Sequence, residues 1–75
     1  MNDFKHVPKY PVQTLGKALD ILNYIKDNPS SEGISLTEIS SALNIGKSGV
    51  HRLLDTLMAY DFVEKINGIS PAYRL

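Results

Sequence analysis

Apolar residues recur at helical spacing in three stretches of this chain. Two of them lie within Ser35 to Tyr60, SLTEISSALNIGKSGVHRLLDTLMAY. The first puts Ile39, Ala42 and Leu43 on one face, with Leu36 three residues earlier; the second gathers Val50, Leu53, Leu54 and Leu57 within one arc of a helical wheel. Only Asn44, Ile45 and Gly46 separate the two patterns. A break this short between two amphipathic helices is read as a steep crossing, which is the helix-turn-helix arrangement.

Local signals agree with these boundaries. Ser35 followed by Glu38 forms a capping box, and Ile34 with Ile39 fits the accompanying hydrophobic staple. The second helix starts at Gly46, which has no side-chain acceptor for the first amides. A glycine demanded by the turn is the plainer reading of Gly46; free amides awaiting water or a phosphate are the other. Upstream, Gln13 to Asn28 predicts a third helix with Leu15, Ala18, Leu19, Leu22 and Ile25 as its buried stripe. Ile21 widens that stripe, Tyr24 falls on the polar side, and Asn28-Pro29 ends the helix.

The remaining segments are shorter. Residues 1–12, with Pro8 and Pro11, have no periodic apolar pattern and read as a flexible arm ahead of a domain spanning residues 13–75. Ser30 to Gly33 reads as loop, and Ile34 as a short strand. Phe62 to Ile66 and Ala72 to Leu75 read as two strands joined through the turn signal Asn67-Gly68, with Pro71 limiting their pairing. The expected fold is therefore mainly α with a small β-hairpin: three helices plus a wing, a winged helix-turn-helix. Lys65, Asn67 and Ser70 fall near the wing's tip.

The chemistry rests on the outer face of the second helix of the pair, residues 47–60. Opposite its apolar arc lie Ser48, Arg52, Asp55 and Ala59, flanked by Gly49, His51 and Thr56. Small residues at the start of such a helix let it enter a DNA major groove. An arginine there binds guanine in bidentate fashion or grips a phosphate, and an aspartate accepts from cytosine. A mixed polar face is also what any surface helix shows; the tight turn before it is what gives it meaning. Thr37, Lys47, Ser48, Gly49, His51, Arg52, Asp55, Lys65 and Arg74 are the candidate DNA-contacting residues.

Composition limits the alternatives. Seventy-five residues without cysteine allow one small domain with a marginal core. No apolar run reaches membrane-spanning length, and residues 1–12 do not form a signal peptide. His6 and His51 lie far apart in sequence, and no spacing suggests metal ligands or a nucleophile with its base, so no enzyme and no cofactor is expected. Net charge is zero, against the basic footprint usual for nucleic-acid binding. The cations gather, however, on the arm (Lys5, Lys9), the outer helix (Lys47, Arg52) and the tail (Lys65, Arg74), while residues 13–46 are net acidic. One copy should bind DNA weakly, and a dimer doubles its phosphate contacts. The rival reading is a winged helix used only for protein–protein contact. Such a face should expose Leu, Phe or Trp anchors, and Ser48, Gly49, His51 and Arg52 supply none.

At this point VQTLGKALDIL, SLTEISSALNIGKSGVHRLLDTL and AYRL resemble the N-terminal domain of the IclR-type bacterial transcriptional regulators, from Val12 to Leu75. The block Lys47, Ser48, Val50 to Leu54 and the closing Tyr73 to Leu75 are its more specific parts. The resemblance implies binding to a double-stranded operator by the second helix, a cytoplasmic location, and a homodimer or dimer of dimers. It also implies a further domain that binds a small organic effector, so that this chain is expected to be the DNA-binding part of a longer regulator. Two positions depart from the family's pattern: Gly49 stands where threonine is usual, and Asp61 where glycine is usual between the third helix and the wing.

Overall fold

The computed structural model describes residues 7–68 and 71–75. Three helices, α1 (Gln13–Asp27), α2 (Leu36–Leu43) and α3 (Lys47–Ala59), pack against a small antiparallel sheet of β1 (Ile34–Ser35), β2 (Glu64–Ile66) and β3 (Ala72–Arg74). This is the winged helix-turn-helix that the pattern predicts. Residues 7–12 are irregular and exposed, and Ser70 lies outside the described residues.

The core is built from every element except β2. Ile21 and Ile25 of α1, Ile34 of β1, Ile39 of α2, Val50, Leu54 and Leu57 of α3, Val63 and Tyr73 form one buried cluster. The apolar stripe predicted for α1 is half right. Ile25 is buried, and Ala18 and Leu22 pack against the cluster, but Leu15 is 56% exposed and Leu19 49% exposed, whereas Ile21 is fully buried. Two residues apart on a helix, Leu19 and Ile21 point roughly 160° away from each other, so one helix face cannot bury both. The apolar sector of α1 is broad, and packing on α2, α3 and β3 selects its Ala18–Ile21–Ile25 side. In α2, Ile39 is buried and Leu36 and Leu43 are half-buried, but Ala42 is exposed.

The turn between α2 and α3 gets its shape from Asn44, not from Gly46. Asn44 caps α2 in the left-handed region (φ 54°), which asparagine tolerates better than most residues. Ser40 then holds the next residue twice: its carbonyl accepts from the Ile45 amide at 3.1 Å, and its hydroxyl donates to the Ile45 carbonyl. The chain reaches Gly46 with φ −57° and ψ 146°, open to any residue, and a Cβ there would meet nothing within 4 Å. The turn does not demand a glycine at this position.

α3 ends in a Schellman motif. The Asp61 amide donates to Met58 and the Phe62 amide to Leu57, with Asp61 left-handed at φ 65°. This holds Phe62 out of the strand predicted to begin there, so β2 starts only at Glu64 while Val63 turns into the core. The second strand also stops one residue early, at Arg74.

The sheet differs from a simple hairpin. β3 is its central strand, with β1 on one side and β2 on the other. Ile34 pairs with Tyr73, Ser35 with Ala72, and Ile66 also with Ala72, directly after Pro71 as the proline requires. Gly33 makes the β1–β3 approach possible. Its φ is +83°, and a Cβ added there would come within 2.8 Å of the Ala72 Cβ. Because Ser35 is both a strand residue and the N-cap of α2, its hydroxyl accepting from the Glu38 amide at 3.1 Å, the wing is tied to the start of the helix-turn-helix.

Candidate nucleic-acid interface

The outer face of α3 is open. Lys47, Ser48, His51, Arg52 and Asp55 are exposed and Gly49 is half-buried, while Val50, Leu54 and Leu57 anchor the opposite face. No side chain caps the start of α3. With the turn satisfied by Asn44, Gly46 is left as an acceptor-free N-cap, and the first amides of α3 have no side-chain acceptor at the helix end where the dipole favours an anion. Among the described residues, the large exposed hydrophobics lie on the arm, on α1, just past α3 at Tyr60 and Phe62, and at Leu75, but none lies within α3 itself.

Two open clefts flank this ridge. One, of about 440 Å³, is lined by Thr37 at the start of α2, His51 on α3 and Lys65 on β2. Three candidates from three elements thus meet along one side of α3. The other, of about 330 Å³, lies between α1 and α3 and is lined by Thr14, Lys17, Gly49, Arg52 and Thr56. Thr14 and Lys17 were not foreseen as site residues. Lys17 is visible in the sequence as a polar-face residue of α1, but only the packing shows that this face borders α3.

Arg74 stands apart from both clefts. Its Nε lies 3.3 Å from the Glu64 carboxylate across the β2–β3 pair, and its Nη1 donates to the Ser31 carbonyl at 3.5 Å. The Nε is shielded from solvent without an aligned hydrogen bond, so Glu64 acts on it through charge alone. The pair is partly exposed and contributes at most about 1 kcal/mol. Its guanidinium bridges the wing to the loop before β1, which gives it work inside the domain.

Behind the interface, Tyr24 is half-buried, where its place on the polar side of α1 predicted exposure. Its hydroxyl donates to the Glu38 carboxylate at 2.8 Å. That hydrogen bond, with the burial and negative charge that accompany it, raises the tyrosine's pKa above its ordinary value. The Glu38 carboxylate thus braces α2 on α1, and the capping box is expressed through its serine half.

A tight helix-turn-helix with an open outer ridge, flanked by a wing, defines a winged helix-turn-helix. The family model of the IclR helix-turn-helix domain matches residues 14–66, most of the chain, which therefore belongs to that family of DNA-binding transcription regulators. No curated protein and no solved structure matches it. The match ends at Ile66, so the central strand β3 lies beyond it. Among the described residues no helix is long and apolar enough to cross a membrane, and no cluster of His, Cys, Asp or Glu is arranged to hold a metal ion.

Proposed function

We propose that this domain binds one half-site of a double-stranded operator, with α3 lying in the major groove, and that two copies act together as a dimer in the cytoplasm. The observation that carries the reading is the outer ridge of α3. It is polar, open and free of apolar anchors over its whole length, and it begins with uncapped amides. Ser48 and Asp55 are the side chains set along this ridge to approach base edges, Asp55 as an acceptor for cytosine. Thr37, His51 and Lys65 border the groove on the wing side. Lys47 supplies charge at the helix start, and Gly49 lets α3 approach closely where the family usually carries threonine.

The neutral net charge supports the dimer. A single copy has few cations to release counterions, so it binds weakly, and joining two copies raises the effective concentration of the second. Selection from a random duplex library, followed by fluorescence anisotropy with the enriched sequence, tests the reading. Enrichment of a defined sequence, bound weakly by the chain and tightly by a fused dimer, is the expected result. Enrichment of nothing, with no binding by the fused dimer at low salt, would leave a protein-contact module as the better reading.

A further inference from the structure

We propose that the cleft between α1 and α3 is a seat for one DNA backbone phosphate, gripped jointly by Lys17 and Arg52. Resting on the DNA-binding reading above, this adds α1 to the interface and gives Arg52 a backbone role in place of base reading.

Two cations from different helices line this one cleft, together with the hydroxyl-bearing residues Thr14 and Thr56, and no acidic residue is among its lining. Among the described residues, the only ion pair is that of Arg74 with Glu64, so neither Lys17 nor Arg52 has a carboxylate within 4 Å. Water screens the mutual repulsion of these two exposed cations, and an anion seated between them would be attracted by both. Such an anion would come from outside the domain.

The cleft's position names that anion. On α3 it lies on the side of Gly49, Arg52 and Thr56, whereas Thr37, His51 and Lys65 line the cleft on the other side. A helix lodged in a groove about 12 Å wide has a phosphate strand on each side of it. With the Ser48–Asp55 ridge facing the bases, one strand passes the wing cleft and the other passes Lys17 and Arg52. Ile45 and Leu53 complete the lining, to which Gly49 and Thr56 add little bulk. The side chain of Thr56 stays close to its own helix, with its hydroxyl donating to the Arg52 carbonyl at 3.1 Å, so it does not fill the space. A phosphodiester is singly charged, accepts from both a guanidinium and an ammonium, and carries no base identity.

Lys17→Ala tests the assignment, with Lys26→Ala as a control of equal charge at the far end of α1, where Lys26 lines a different hollow beside Ile25 and Tyr73. Both lysines are exposed, so neither change threatens the fold. Anisotropy titrations across a salt series use two probes, a mixed-sequence duplex and the duplex enriched by selection. Lys17→Ala and Arg52→Ala should each weaken both duplexes by the same factor and flatten the slope of log affinity against log salt by about 0.9. Lys17→Arg should restore it, and Lys26→Ala should leave it unchanged. An unchanged slope for Lys17→Ala, or equal effects of Lys17→Ala and Lys26→Ala, would overturn the phosphate seat while leaving operator reading by α3 intact. A loss confined to the enriched duplex for Arg52→Ala would return Arg52 to base reading and overturn it too. Absence of binding by the unaltered chain to either duplex, as monomer and as fused dimer, would remove the DNA reading and this seat together.

Discussion

Asp61→Gly should stabilise this domain by about 1 kcal/mol. Asp61 occupies the left-handed position of the Schellman motif that ends α3, at φ 65°. That conformation costs a residue with a Cβ about 1–2 kcal/mol, less for aspartate than for most, and costs glycine nothing. The carboxylate also faces the negative end of the α3 dipole, worth about 0.3–1 kcal/mol at an exposed site. Against these stands the greater freedom of glycine in the unfolded chain, about 0.5–1 kcal/mol. A carboxylate that pairs with a cation or caps an amide would reverse the sign. Among the described residues, however, the side chain of Asp61 enters no ion pair, and its backbone amide alone takes part in the motif. The two destabilising effects outweigh the glycine entropy. Urea unfolding measures the outcome, and thermal melting should show a rise of about 4–8 °C for a domain of this size. Asp61→Asn, which keeps the left-handed tolerance but removes the charge, should fall between the two. An unchanged or lower urea midpoint for the glycine variant would refute the reasoning.

Gly33→Ala should cost about 2–4 kcal/mol, because it combines a left-handed backbone with a Cβ 2.8 Å from that of Ala72; circular dichroism melting should show most of the stability lost. Ile21→Ala should cost about 2–5 kcal/mol and Leu19→Ala less than about 1 kcal/mol, since only the first is buried; equal urea midpoints would show that α1 packs through a different face. Ultraviolet titration should find Tyr24 ionising above the ordinary tyrosine range, and Glu38→Gln should bring it back. Because the folded state holds that proton longer than the unfolded chain does, this pairing stabilises below the ordinary tyrosine pKa. Its contribution is lost as pH rises through the raised value.

The elements that rest on local rules were legible from the sequence. The 3.6-residue period of α2 and α3, the Ser35 cap and the stop at Asn28-Pro29 each depend on a few neighbouring residues, and each is in place. What was not legible depends on distant partners. The buried face of α1 is chosen by α2, α3 and β3, which is why Leu15 and Leu19 stand exposed while Ile21 fills the core. The sheet order depends on β3 returning to pair with β1, a contact across nearly forty residues of chain that no hairpin signal encodes. Lys17 joins Arg52 at one cleft, and Arg74 turns to Glu64 and Ser31, for the same reason. Charge and exposure can be read along the chain; adjacency between elements cannot.

The most direct test of the central claim, that the outer ridge of α3 meets DNA, is an amide NMR titration of the isotope-labelled chain with the duplex enriched by selection. The largest shifts should fall over residues 46–56, together with Thr37 and Lys65 at the wing cleft and Lys17 on α1. Leu19, Tyr60 and Phe62 should stay unmoved. Shifts centred on Leu19, Tyr60 or Phe62, with residues 46–56 silent, would show that DNA does not meet this ridge.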